Sequence, residues 1–285
     1  MGRHEWGQNP LLRPPEAAAG IDVDKPNIAR MYDYFLGGSA NFAVDRTAAE
    51  QFRQALPGNS SWTARYTRGN RSFLGRAVTL LCRQGIDQFL DLGSGMPTVG
   101  NVHEIAHRHD PTAHVAYVDR EPVAVAHARR LLGDNSRVTV TQADIRHPDK
   151  VLTAPGVTEL LDFTRPVAIL AVAILDLLDD ADDPAGLIAT YRDVCVPGSA
   201  LVISHAVQDA ATDQQVRAVQ DFMGQTNTPR MLFRTPSEIA GFFAGYAVLD
   251  PGVARLDQWR PEEPVPDEQA ADANGYGAVG ILRSE

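Results

Sequence analysis

The chain has 285 residues, 44% hydrophobic and 22% charged, enough for one large α/β domain or two small ones around a sizeable core. A formal charge of −10 argues against a protein that works by gripping nucleic-acid phosphates. Cys82 and Cys195 lie far apart without disulfide or metal-ligand spacing, and no apolar run is long enough to span a bilayer. The expectation is a cytoplasmic protein with both thiols buried and reduced, and with neither nucleic acid nor membrane as partner.

Residues 1 to about 25 are polar and proline-rich and read as a flexible arm. After Pro26, "NIARMYDYFLGG" sets Ile28, Met31, Tyr32 and Phe35 on one helical face and stops at Gly37-Gly38. A second helix, "AVDRTAAEQFRQAL", ends at Pro57-Gly58. A third runs from about Thr67 to Arg83 on a stripe of Phe73, Leu74, Val78 and Leu81.

Strands and helices then alternate. "QFLDL" precedes a helix from about Val99 to His109, "HVAYVD" precedes "PVAVAHARRLLG", and "RVTVTQAD" leads through the buried run "PVAILAVA" to the helix "DPAGLIATYRDVCV". "ALVISH" follows, then helical stretches around Asp213 to Met223 and Ser237 to Phe243. "YAVLDP" and "GAVGILR" close the chain as strands, separated by the acidic, proline-containing loop "RPEEPVPDEQAADANG". This alternation predicts a mostly parallel sheet covered by helices on both faces.

In such a sheet a ligand lies beyond the carboxyl ends of the strands, at the point where strand order reverses. Polar residues or glycines end each of the first strands. "DLGSGMP" offers Asp91, Gly93, Ser94 and Gly95, where glycines let a ligand approach the backbone and free amides suit a polar group. Met96, Pro97 and Thr98 stand where a dinucleotide fingerprint has its later glycines, and Pro97 is expected to stiffen the entry to the next helix. Asp119, with Arg120 beside it, ends the second strand, where a carboxylate can take both ribose hydroxyls or cap the following helix. Asp144 at the third tip can accept from an adenine amino group while Ile145 packs on the ring. At the fourth, small Ala171 and Ala173 leave room for a ligand.

These sites in order, together with "PNIARMYDYFLGGSANFAVDR", "NRSFLGRAV", "QFLDLGSGMPTVGNVHEIA" and "VAYVDREPVAVAHAR", resemble the class I S-adenosylmethionine-dependent methyltransferases. The closer resemblance is to a bacterial family of S-adenosyl methyltransferases long described as a domain of unknown function. It implies an α/β, Rossmann-like sheet of seven mostly parallel strands, the last antiparallel, with an N-terminal helical lid. Residues 1–66 would be arm and lid, and 67–285 the cofactor domain. It further implies S-adenosyl-L-methionine as cofactor, held by Asp91, Asp119 and Asp144. Within the N-terminal cluster, Arg30, Arg46 or Arg71 can pair with the cofactor's carboxylate, since a guanidinium binds that group bidentately, and Tyr34 is a further candidate. Two departures stand out: Ser39-Ala40 replaces a frequent Lys-Asp, and no histidine accompanies Asp176.

Methyl transfer is an in-line displacement in which the protein mainly aligns the reactants. A base is required only when the acceptor must lose a proton, and Asp176 after the fourth strand and His205 at the end of the fifth are placed for that role. The acidic run "DLLDDADD" lacks a fixed octahedral set and reads as a helix-capping loop, and His103, His107 and His109 do not converge on a zinc site. The leading expectation is a methyltransferase acting on a small-molecule acceptor. An NAD(P)-dependent oxidoreductase and a non-catalytic module sensing the cofactor are the alternatives.

Overall fold

Short apolar runs between amphipathic helices assemble into one open, twisted sheet. The structure is a computed structural model, described for residues 24–55, 61–97, 100–207, 213–224, 231–266 and 275–284. The expected N-terminal arm, the Pro57-Gly58 helix stop and part of the acidic loop lie outside the described residues. In chain order the elements are α1 (Ile28–Phe35), α2 (Ala43–Ala55), α3 (Ser61–Arg83), β1 (Gln88–Leu92), α4 (Val102–His109), β2 (His114–Asp119), α5 (Pro122–Leu132), β3 (Val138–Gln142) and α6 (Pro148–Leu152). There follow α7 (Pro155–Thr158), β4 (Ala168–Val172), α8 (Pro184–Asp193), β5 (Ala200–Ala206), α9 (Asp213–Met223), α10 (Pro236–Gly241), β6 (Tyr246–Val248), β7 (Ala254–Arg255) and β8 (Gly275–Leu282).

The strands run in the order β3-β2-β1-β4-β5-β8-β6, with the short β7 also on β8. β1 to β5 are mutually parallel, whereas β8 is antiparallel to β5, β6 and β7. This is the Rossmann-like architecture expected, with the antiparallel last strand inserted beside β5. Two-residue β7 has no periodicity to reveal it in sequence. After β3 the chain crosses β1 to place β4 on its other side, so β1 and β4 flank the switch point where a crevice opens.

The inner parallel strands β1, β2, β4 and β5 are largely apolar because both faces are covered, whereas the edge strand β3 (VTVTQ) is only partly buried. β1 is buried at every position, and Leu90, Val115, Val118, Ile169, Leu170, Leu201 and Val202 are wholly inaccessible. At about 1.5–3 kcal/mol for each fully buried large aliphatic, such residues dominate the favourable side of folding. One face packs on α3 and α4 through Phe73, Val78, Leu81, Ile105 and Ala106, the other on α8 and α10 through Leu187, Ile188, Tyr191 and Ile239. The glycines of β8 admit these aromatics. A Cβ at Gly277 would lie 2.7 Å from the ring of Phe73, which sits edge-on to buried Trp259 at 5.1 Å.

A third apolar cluster joins Met31, Ala48, Ala49 and Phe52 to Val219, Phe222 and Met223, with the Phe52 and Phe222 rings 4.7 Å apart. It fastens α1 and α2 to α9 over the carboxyl end of the sheet. The covering layer thus has three helices, of which the sequence pointed only to the N-terminal pair. Asn27 starts α1 by accepting hydrogen bonds from the amides of Ala29 and Arg30. α3 begins at Ser61, six residues before its expected start, and α4 begins at Val102 rather than Val99. The later α4 start follows from Gly100, with φ +77°, and from Glu104, whose carboxylate takes the amides of Gly100 and Asn101. Pro97 therefore precedes the helix by several residues and does not rigidify its first turn.

Among the described residues no helix is long and apolar enough to cross a membrane. Both cysteines are half-buried rather than fully buried. Burial pushes both thiols up to about 11, leaving them protonated and weakly nucleophilic at neutral pH.

Candidate active site

An open-mouthed cavity lies beyond the carboxyl ends of β1, β2, β3 and β4, beneath α1, α2 and α9. Counting the open space at its mouth it encloses about 1550 Å³. Asp91, Gly93, Ser94, Gly95, Asp119, Arg120, Asp144, Ile145, Ala173 and Asp176 all line it. The topology thereby brings four strand tips, far apart in sequence, into one wall.

The glycine loop bends sharply because Gly93 (φ +70°) and Gly95 (φ +66°) occupy the left-handed region. The amides of Gly93 and Ser94 donate to the carbonyl of Val118, at 2.8 and 3.1 Å, which ties the loop to β2. A Cβ on Gly93 would run into the side chain of Ile174, itself a wall of the cavity. Asp119 serves two neighbours. Its Oδ2 accepts from the Gly95 amide at 2.7 Å and its Oδ1 from the Glu121 amide at 2.8 Å, the latter at the start of α5. At the fourth tip Ala173 is itself left-handed (φ +52°), a strained position for a residue with a Cβ. It is held by its amide donating to Ser204 Oγ at 2.9 Å.

Several acids here resist ionisation because they are buried. Burial raises the Asp91 carboxyl to about 7, against a smaller opposing pull from Arg71 and a further push from Asp119. Burial likewise raises Asp119 and Asp176 above the ordinary carboxylate range. Asp144 goes the other way, lowered chiefly by its bonds to Arg146, whose Nη2 reaches Oδ2 at 2.6 Å. For Asp91 the sign of the linkage is fixed. The folded chain binds the proton more tightly than the unfolded one, so its contribution to stability is lost as pH rises from about 4 through 7. Asp91→Asn should therefore gain on the wild type by about 2–3 kcal/mol between pH 5 and pH 8 in urea denaturation. A gap between the two proteins that is independent of pH would contradict this.

Arg71 projects from α3 into the same cavity and lies over the Tyr32 ring at 5.8 Å. Its Nε is buried without a hydrogen-bond partner. Of the three arginines proposed from sequence it alone lines the cavity. Arg30 is spent on a buried ion pair with Asp45 at 2.7 Å, and Arg46 donates to Asn41 at 3.0 Å. Tyr34 also faces away from the cavity and donates to Glu50 at 2.9 Å.

His205 does not reach the cavity either. Arg234 can only donate, so its Nη1 at 2.9 Å makes His205 Nε2 an acceptor, and Nδ1–H donates to the Ala206 carbonyl at 2.7 Å. Both ring nitrogens are engaged and burial lowers the pKa, so the histidine expected as a pocket-lining base is a neutral scaffold residue. Arg234 was not anticipated. It also binds the carbonyls of Leu175 and Leu178 and the carboxylate of Asp180, clamping the acidic loop. Within that loop Asp179 and Asp183 cap the short helices that follow. Asp176 points inward instead, with Oδ2 accepting from Tyr66 at 3.1 Å.

Sequence reading also missed Thr63, Tyr66 and Asn70. Asn70 links Tyr32 at 3.0 Å to Ser204 at 2.5 Å, tying α1 and α3 to the end of β5. The first turns of α3, "SWTARYTRGN", show no clean apolar stripe because Thr63, Tyr66, Thr67 and Asn70 line the cavity.

Residues 14–283 match the S-adenosyl methyltransferase family. A crystal structure from Thermobifida fusca YX, classed as a methyltransferase, is 36% identical, with a TM-score of 0.85 over 93% of this chain and 98% of that one. A DUF574 family protein from Streptomyces avermitilis is 32% identical, with a TM-score of 0.84 over 92% of this chain and 99% of that one. The fold alone extends to magnesium protoporphyrin IX methyltransferase from Synechocystis PCC 6803, solved with bound S-adenosylhomocysteine. There identity is 14% and the TM-score 0.51, over 90% of this chain and 99% of that one. Among proteins of curated function, none matches the sequence.

Proposed function

Because the chain belongs to the S-adenosyl methyltransferase family, we propose that its cavity binds S-adenosylmethionine and that the protein methylates a small-molecule acceptor. The observation that carries this reading is the meeting of Asp91, the glycine loop, Asp119 and Arg71 on one wall of the cavity. The residues fit that cofactor's parts. Arg71 has a buried, unpartnered Nε to offer a carboxylate, and Asp91 beside it can take an ammonium group. Asp119 already accepts from two amides, yet each carboxylate oxygen retains a lone pair for a ribose hydroxyl. Ile145 and Asp144 flank the place where an adenine ring belongs.

When bound, the cofactor supplies an electrophilic methyl carbon. The chain's own work is then to bind, orient and exclude water. The three covering helices shield the cavity, while strained Ala173 and the Ser204–Asn70–Tyr32 hydrogen bonds fix the floor and roof relative to each other. Asp176, just after β4, is a buried carboxylate lining the cavity and the candidate to receive a proton from an acceptor.

The test separates the carboxylate contact from the rest. Arg71→Met should weaken S-adenosylmethionine binding about 10- to 100-fold by calorimetry and leave 5′-methylthioadenosine, which lacks the amino-acid tail, nearly unaffected. Equal losses for both ligands, or no loss, would remove Arg71 from that role.

A further inference from the structure

The end of the cavity beyond the glycine loop differs from the rest. Its wall is built from Phe52 of α2, Val219 and Met223 of α9, Met231, and Leu177 after β4, all uncharged. Into this apolar surround the structure sets two buried polar atoms without partners, Asp176 Oδ1 and Thr63 Oγ1. Asp176 is 1% exposed and Thr63 4%. They are brought together by α3: Thr63 and Tyr66, three positions apart, share a helix face, and the Tyr66 hydroxyl bonds Asp176 Oδ2 at 3.1 Å.

A buried polar atom left unsatisfied is destabilising, the more so for a charged group, so two of them lining one cavity define what should fill it. Among the described residues Asp176 makes no ion pair. Its neighbour His205 is held neutral, with both nitrogens engaged, and Arg234 spends its donors on His205, two carbonyls and Asp180. A carboxylate buried without a counter-ion is matched best by a cation. A hydroxyl can donate to Asp176 Oδ1 and accept from Thr63 Oγ1–H but brings no charge, whereas an ammonium group donates to both atoms and also supplies the positive charge that the carboxylate lacks. The surrounding methionine, phenylalanine and aliphatic side chains exclude further charge on the ligand and favour an adaptable, apolar fit.

We infer that this end of the cavity is an acceptor subsite for a compact, apolar primary amine, whose ammonium head is seated between Asp176 and Thr63 and gives one proton to Asp176, freeing the nitrogen lone pair that takes the methyl group. The inference deepens the methyltransferase reading and rests on it for the word acceptor, but the amine subsite itself is built from α2, α3, α9, Met231 and the loop after β4.

The experiment uses the full chain loaded with S-adenosylhomocysteine, whose own binding is measured first in the same calorimeter. Benzylamine, 2-phenylethylamine and tryptamine are then titrated beside their alcohol counterparts. At least one amine should bind about tenfold more tightly than its alcohol. Asp176→Asn, nearly isosteric, should weaken that amine about tenfold or more and leave the alcohol and S-adenosylhomocysteine within about twofold. Thr63→Val, which keeps the shape and removes the hydroxyl, should weaken it several-fold and serves as the second variant if the first is unstable. Alcohols binding as tightly as the amines, amine affinity indifferent to both substitutions, or no binding by any amine would overturn the inference. Failure to bind S-adenosylhomocysteine would instead strike the cofactor reading, and the amine titrations on the unloaded chain would still decide the subsite.

Discussion

Asp119→Ala should weaken S-adenosylmethionine binding about 100-fold while the chain remains folded. The size follows from hydrogen bonds to a charged acceptor at about 1.5–3 kcal/mol apiece, of which the proposed ribose contacts supply at least one and at most two. A second loss adds to it. Without the carboxylate the Gly95 amide, now held at 2.7 Å, loses that partner and the glycine loop loses one of its ties to β2. Stability should change much less, because the remaining bonds of the loop to Val118 persist and α5 still starts at Pro122. Calorimetry for affinity and a thermal melt for the fold would be read together. An affinity within about threefold of the wild type would remove Asp119 from the site.

The largest stability effect is expected at Asp45, which touches no part of the cavity. Asp45 is wholly buried and accepts from the amides of Asn27 and Phe42 and from Arg30 Nε, at 2.9, 2.8 and 2.7 Å. It thereby closes the first turn of α2, braces the start of α1 and neutralises a guanidinium that is 4% exposed. Asp45→Ala leaves that cation buried without its counter-ion, a change that costs about 3–5 kcal/mol when the partner is removed rather than both replaced. Urea denaturation should register a loss of this size. Cofactor affinity should fall with it, since Asn27 and Tyr32 on the same segment line the cavity. A loss below about 1 kcal/mol would show that Arg30 finds other partners when Asp45 is gone.

The sheet was legible because its signals are local. "QFLDL" and "HVAYVD" are apolar runs bounded by charged or turn residues, and they became β1 and β2 with the expected limits. The strand-tip residues were legible for a related reason: a polar side chain or glycine pair interrupting such a run stands at the sheet's edge wherever the strand ends. What escaped depends on contacts between distant segments. Arg30 and Arg71 look alike in sequence, and only packing shows that one is neutralised by Asp45 while the other faces the cavity. His205 looked available because its strand ends there, yet Arg234, 29 positions later, occupies its free nitrogen. The start of α3 was hidden for the opposite reason, since a face lining a cavity has no apolar period to detect.

Titration of the wild-type chain with S-adenosylmethionine and, separately, with NAD tests the central claim most directly. The account predicts saturable one-to-one binding of S-adenosylmethionine with a dissociation constant of roughly micromolar order, and NAD binding weaker by about 100-fold or more, because the loop lacks the later glycines that admit a pyrophosphate. Tight NAD binding without S-adenosylmethionine binding would contradict it.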